Sequence, residues 1–292
     1  MPLLTGLHRY PVKSLYRQSP EHAVVEPWGL RGDRRWMLAR PGGLAVTQRD
    51  LPQLARYRAQ PQEDGTLWVT SPEGDQLRIT VPRTADGARA TEADVFGTRF
   101  AALEADPKAQ LWFAERLGPH ELGEIRLLHL ADPRARAIAP DFSNPGESVS
   151  MADGFPLLAV TTASLAALGA WLVEGGSPAL PVERFRPNLV IEGTEAWEED
   201  RWRRVRVGEV TFRAVKLCGR CVVTTTDQET GERTGAEPLR TLAKRRRFEK
   251  KSAFGVNLIP ERPDHLSGHE LGTLRLGDEV TVLARGERLP AA

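Results

Sequence analysis

Apolar and polar side chains alternate in short runs through the first hundred residues, and Gly or Pro interrupts nearly every run. A period of two over four to eight residues predicts strands, here over Leu3–Tyr10, His22–Val25, Trp36–Ala39, Leu44–Thr47, Leu67–Thr70 and Gln76–Val81. Pro41-Gly42-Gly43, Asp64-Gly65 and Pro72-Glu73-Gly74 supply hairpin turns between them, because Gly accepts the positive φ that tight turns require. This spacing predicts a small β-barrel or sandwich over residues 1–105. The period then lengthens. Asp106 as N-cap, Pro107 at the first helical position and Gly118 past the end enclose a stripe of Leu111, Trp112, Ala114 and Leu117, which predicts a helix in a connection over 106–124.

A second domain is expected over 125–287, opened by a strand at Arg126–Leu130. The stretch from Asp132 to Gly154, rich in Pro, Asp, Ser and Gly, reads as a loop. Thr161-Thr162-Ala163-Ser164 followed by Leu165, Leu168 and Leu172 predicts a capped helix of about three turns. Asn188–Glu192, the alternating Val210, Phe212 and Ala214, Cys221–Thr226, Phe254–Ile259 and Val280–Leu283 predict strands. Asp227–Gly231 and Leu276-Gly277-Asp278 are expected turns, and Leu239–Arg247 a short helix with basic residues where its dipole favours them. The expected fold class is therefore mainly β with a few helices, an α+β arrangement in two domains.

Composition narrows the function. With 40 Lys+Arg against 39 Asp+Glu the formal charge is +1, so no bulk field calls for nucleic acid or an anionic membrane. The basic run Ala243–Lys251 reads as a solvated helix end, with docking of an acidic electron donor as its functional alternative. No apolar run approaches the ~20 residues of a membrane span. The N-terminus lacks the pattern of a signal peptide, so a cytoplasmic location is expected.

Two cysteines in 292 residues exclude a disulfide scaffold. Both lie in Cys218-Gly219-Arg220-Cys221, where Arg220 favours ionisation of a thiol. A thiolate fixed there suits a soft metal or redox work. Zinc would need two further ligands, and His265 and His269 lie far beyond the zinc-finger interval. A thioredoxin-type disulfide is disfavoured by the β-branched run that follows the motif, and inert buried thiols are the bland alternative.

Three other clusters offer anion-binding chemistry. Lys13-Ser14, at the end of a strand, combine a cation, a hydroxyl and backbone N–H groups suited to phosphate. In Arg31-Gly32-Asp33-Arg34 the carboxylate can orient one arginine while another reaches a ligand. Pro187 should hold the preceding backbone extended, placing Arg186 and Asn188 on the same side. Each has an ordinary structural alternative: solvated surface, a charged turn, or an interface ion pair.

Taken in order, these segments resemble one family. Tyr10–Ser14, Gly29–Trp36, Val46–Arg49, Thr161–Leu168, Phe185–Ile191, Cys218–Gly231 with Glu237–Leu239, Phe254–Leu258 and Leu274–Val280 make the chain similar to the MOSC superfamily with its N-terminal β-barrel partner. The branch it resembles includes the mitochondrial amidoxime-reducing components and their bacterial counterparts. The resemblance covers nearly the whole chain.

It implies a MOSC β-barrel packed with an N-terminal barrel and a molybdenum cofactor, a metal on a pterin dithiolene (Mo-molybdopterin), with Cys221 as protein ligand and catalytic residue. It also implies that Lys13, Ser14, Arg34, Thr161, Thr162, Ser164, Arg186, Asn188, Gly219 and Arg220 contact the cofactor. A helix start at Thr161–Ser164 would favour an anion. The implied activity is reduction of amidoximes, hydroxylamines and N-hydroxylated bases; Asp227 or a metal-bound water is the candidate proton donor. A plant-type ferredoxin cluster needs four cysteines, so no iron–sulfur cluster is expected in this chain. Electrons would come from a separate flavin, ferredoxin or cytochrome-type reductase. A persulfide-carrying or cofactor-delivering role is the alternative. No pyridoxal-phosphate domain is visible, so that cofactor is not expected.

Overall fold

The structure is a computed structural model that describes every residue except Glu63, Pro119, His120, Asp264, His265 and Ala292. The largest sheet runs in the order Leu3–Leu7, Leu189–Glu192, Leu157–Thr161, Lys251–Pro260, Val210–Gly219, Trp202–Val207 and Val280–Arg285, with the short strand Arg247–Phe248 paired on Lys251–Pro260. A bridge between Leu3 and Glu279 joins its two edges. All these pairings are antiparallel except that of Leu157–Thr161 with Leu189–Glu192. A parallel pair needs a crossover, and the helix Thr162–Glu174 provides it.

Three smaller sheets complete the fold. Trp36–Ala39, Arg126–His129, Thr98–Glu104 and Ala90–Val95 form one. Arg58–Pro61, Leu67–Thr70 and Gln76–Ile79 form a second, and Gly272–Arg275, His22–Glu26 and Gly29–Leu30 a third. The mainly β, α+β class expected from the sequence is the class observed.

Strand pairing does not respect a cut at residue 125. The first strand completes the large sheet, whose core includes Leu4, Leu7, Ala23, Val25 and Leu30 beside Trp202, Phe212 and Val256. Conversely, Arg126–His129 pairs with Trp36–Ala39 rather than with later strands. The two halves therefore share cores, each filled by chain from the other.

The helix α1, Pro107–Leu117, has the expected caps: Asp106 Oδ1 accepts from Ala109 N at 2.7 Å and Gly118 takes φ 70°. Its buried face is Ala109, Trp112, Phe113 and Leu117; Leu111 is 60% exposed, so the apolar stripe lies one position round from the expected one. The helix α2, Thr162–Glu174, is capped by Thr161 as its sequence predicts. The helix α3, Leu239–Arg245, is shorter than expected.

Two predicted strands are absent. Leu44–Thr47 makes only isolated bridges, because Asp50 accepts from both Thr47 N and Thr47 Oγ1 and turns the chain. Cys221–Thr226 is instead a 3₁₀ turn over Val222–Thr225 with Cys221 at its N-cap. Thr224 Oγ1 donates to Cys221 O at 2.9 Å and Thr225 Oγ1 to Val222 O at 2.8 Å, local bonds that override β-branched propensity. No helix among the described residues is long and apolar enough to cross a membrane.

Candidate thiol and anion site

Cys221 opens into a cleft where the N-terminal segments meet the large sheet. Lys13, Ser14, Arg34, Arg186, Asn188, Gly219, Arg220 and Cys221 line it, together with Cys218, Arg49 and Asp153. The empty volume is about 780 Å³ including its open mouth, within the ~300–1,000 Å³ of small-molecule sites. Eight of the residues expected from the sequence converge here from four separated segments.

The backbone is bent to aim them. Ser14, Arg34 and Arg186 hold φ of 69°, 45° and 53°, a region that non-Gly residues rarely occupy and that concentrates at functional sites. The expected extended backbone before Pro187 is therefore wrong: Arg186 is left-handed, because it ends the 3₁₀ turn Val182–Phe185 as its C-cap. It still reaches the cleft. Tyr10 lies buried between two guanidinium groups, with Arg34 Cζ at 4.3 Å and Arg186 Cζ at 4.2 Å from its ring centroid. Its hydroxyl donates to Pro187 O, and burial pushes its pKa up to about 12.

Asp33 orients Arg34 at 2.6 Å and accepts from Tyr10 N at 2.7 Å. Asn188 is turned to the scaffold as well as the cleft: its Oδ1 accepts from Arg34 Nη1 and Leu158 N, and its Nδ2 donates to His8 O. Arg186 donates to Gln228 Oε1 and Leu15 O. Gln228 and Gln48 exchange a reciprocal amide pair at 3.0 Å, which ties the loop after Cys221 to the segment carrying Arg49.

Lys13 is 4% exposed and donates to Met151 O at 3.0 Å and Asp153 Oδ1 at 2.5 Å. Burial pushes its pKa down to about 8, against the pull of Asp153. Against the desolvation of the cleft walls, Lys13 and Arg49 hold the Asp153 carboxyl well below the usual carboxylate range. Arg49 Nη2 bridges Asp153 Oδ2 at 3.2 Å and Cys221 Sγ at 3.1 Å. Beneath, the buried Arg136 donates to the carbonyls of Ser150, Ala152 and Asp153 and fixes this loop.

The two thiols differ. Cys218 Sγ accepts from Arg220 Nη1 at 2.8 Å and packs on the apolar cluster of Leu158, Phe185 and Phe254, and burial pushes its pKa up. Cys221 Sγ faces Arg49 across the cleft. Arg220 Nε is buried without a hydrogen-bond partner among the described residues.

Four of the expected residues lie outside the cleft. Thr161, Thr162 and Ser164 do not line the cleft: Glu199 Oε2 accepts from Thr161 Oγ1 at 3.1 Å and Ser164 Oγ at 2.8 Å, so the protein's own carboxylate takes the place expected for an anion at this helix start. Asp227 is also elsewhere, receiving Arg184 Nη2 at 2.9 Å and capping the turn through Glu229 N and Thr230 N. His265 lies outside the described residues, His269 packs on Trp28, and no metal cluster of three or more His, Cys, Asp or Glu is found among the described residues. Conversely, Arg49, Asp153 and Arg136 were not singled out. Arg49 lay within the Val46–Arg49 segment, but nothing local marks Asp153 or Arg136 as converging on a thiol.

One thiol facing a cleft walled by cations, one of them with an unpartnered buried N–H, suits a ligand that carries both a soft metal and an anionic group. The MOSC N-terminal β-barrel domain matches residues 1–120 and the MOSC domain residues 146–281. Molybdenum cofactor sulfurase of Oryza sativa subsp. japonica is 32% identical over 269 residues, 85% of this chain, which spans 31% of that protein. Mitochondrial amidoxime reducing component 2 of Bos taurus is 29% identical over 278 residues (93% of this chain, 80% of that protein). Component 1 of Homo sapiens is 28% identical over 292 residues (94% and 81%). Among solved structures, the YUAD protein of Bacillus subtilis overlays with a TM-score of 0.38 at 10% identity, covering 96% of this chain and 94% of that one. The matched domains succeed one another along most of the sequence, and the chain belongs to the MOSC family, with the MOSC N-terminal β-barrel domain preceding its MOSC domain.

Proposed function

We propose that this chain holds the molybdenum cofactor in the cleft, with Cys221 as the protein ligand of the metal, and reduces N-hydroxylated compounds such as amidoximes and hydroxylamines. The observation that carries this reading is the Cys221 sulfur, 3.1 Å from Arg49, on a cleft also lined by Lys13, Arg34, Arg186 and Arg220. Lys13, Ser14, Arg34 and Arg186 would hold the anionic group, and Gly219 and Arg220 would flank the metal. An arriving dianion would offset the desolvation of Lys13, which now leans on Asp153 alone for charge. When bound, the cofactor supplies a two-electron reduction that converts N–OH to N–H, consuming two protons and releasing water. The chain's own part is positional. Asp153 holds Arg49 against the sulfur, and Arg136 holds Asp153. The electrons come from a separate flavin, ferredoxin or cytochrome-type donor, and the site is expected to work in the cytoplasm.

Substituting Cys221→Ala in protein made in a cofactor-competent host tests this. Loss of benzamidoxime reduction with an artificial donor is expected; full activity in the variant would refute it. The similarity to a cofactor sulfurase favours one second reading, a sulfur carrier. In that case metal-free protein would carry a persulfide, about 32 Da heavier, on Cys221.

A further inference from the structure

The cleft has two chemically different ends. At the inner end every cation is engaged: Lys13 by Asp153, Arg34 by Asp33 and Asn188, Arg186 by Gln228 and Leu15 O, Arg220 by Cys218 and Phe185 O. At the outer end lies a row across three strands, in which Leu158 pairs with Asn257 and Asn257 with Lys216. Directly paired residues project from the same face of a sheet. Leu158 and Asn257 line the cleft; Lys216 pairs with Asn257 next to a bulge, one strand further out, just beyond the cleft lining itself.

Lys216 has an aromatic floor and, among the described residues, no carboxylate bonded to it. Its Nζ lies 4.6 Å from the Phe142 ring centroid, and Phe142 meets Phe155 edge-on at 5.7 Å. Phe155 in turn lines the cleft. The charged groups that act on Lys216 are Lys251, Cys218 and Glu249, and burial with the Lys251 charge lowers its pKa. The Lys251 side chain packs beside Gly219, within van der Waals reach of a Cβ built there, at 3.4 Å from its Cβ and Cγ. Two like charges, an amide and a half-buried ring thus share one lip, beside the thiol motif.

We infer that the cleft selects a planar substrate bearing a carboxylate, its ring against Phe155 and its carboxylate received by Lys216 and Asn257. This rests on the reductase reading above and specifies its substrate class. An aromatic face gives a flat group an offset or edge-on partner, and a carboxylate between Lys216 and Lys251 relieves their repulsion while gaining a charge-assisted hydrogen bond.

The test compares benzamidoxime with 4-carboxybenzamidoxime on the cofactor-loaded full chain at low salt. Reduction with an artificial donor and calorimetric binding without reductant are both measured. The carboxylate compound should show a kcat/KM higher by about tenfold, carried by KM, as one charge-assisted bond allows. Lys216→Ala should bring the two compounds to parity and Lys216→Arg should restore most of the preference. Lys244→Ala, on the surface of α3, should keep the wild-type ratio. Equal handling of the two compounds by the wild type, or a preference unchanged in Lys216→Ala, overturns the inference. Preferential binding lost in Lys216→Ala but with neither compound reduced would uphold the lip and remove the reductase reading. Neither binding nor reduction would overturn both.

Discussion

Each of the two sulfurs has its own guanidinium, Arg49 for Cys221 and Arg220 for Cys218, yet their surroundings assign them different work. Cys218 sits against hydrocarbon with its thiol form favoured, whereas Cys221 faces the cationic cleft. Cys218→Ala should therefore retain cofactor to within about twofold, since it removes only a half-buried packing group; loss comparable to that of a Cys221 variant, read by metal analysis, would contradict this. Arg49→Lys keeps the charge but loses the fork that spans Asp153 and Cys221. It should lower cofactor retention by about tenfold, the scale of a lost charge-assisted bond. At this scale the sequence revealed Lys13, Ser14, Arg34, Arg186 and Cys221 because each sits in a short recognisable segment. It did not reveal Asp153, whose role arises only where a long loop folds back over Lys13. Thr161 and Ser164 lie away from the cleft, their hydroxyls donating to Glu199, a residue remote in sequence.

Elements with strong local signals formed where their sequences indicated. Asp106 and Pro107 start α1 and Gly118 ends it; Asp106→Ala should cost ~1 kcal/mol in urea unfolding. Strands with mixed polarity, such as Ala90–Val95, Thr98–Glu104 and Trp202–Val207, escaped notice because their charged outward residues obscure the alternation. The segment after Cys221 has strand-like composition but forms a turn, because its threonines bond locally rather than to a neighbour. The basic run that begins in the last turn of α3 is likewise not one solvated face. Arg246 is buried in a bidentate pair with Asp200 at 2.7 Å and stacks on Trp197, while Arg245 pairs with Glu174 on the surface. Arg246→Ala should destabilise the fold by ~3–5 kcal/mol by stranding Asp200, and Arg245→Ala by under ~1 kcal/mol. A docking test that removes both would confound partner binding with unfolding.

The N-terminal and C-terminal halves share strands and cores, and the cleft lies at their junction. Lys13, Arg34 and Arg49 come from one half, Asp153, Arg186 and Cys221 from the other. Its stability should depend on pH in a calculable direction. Burial pushes the His129 and His8 pKa values down to about 3 and about 4, from 6.5. Between about pH 4.5 and 6.5 unfolding therefore takes up protons at both. Glu199 opposes them: burial raises its pKa from 4.5 to about 7, so the folded chain holds a proton that unfolding releases. Near pH 5.5 the net uptake of about one proton lowers stability by ~1.4 kcal/mol for each pH unit of acidification. Glu199→Gln should steepen the slope to ~2.7 kcal/mol per unit, measured by denaturant unfolding at several pH values.

Metal and pterin content, determined side by side on wild-type and Cys221→Ser protein purified from a cofactor-producing host, tests the central claim most directly. Wild-type protein should carry molybdenum and pterin in near-equal amounts, and the serine variant should lose the metal while remaining folded. Molybdenum retained undiminished in Cys221→Ser, or absent from wild-type protein, would contradict a metal site built on that sulfur.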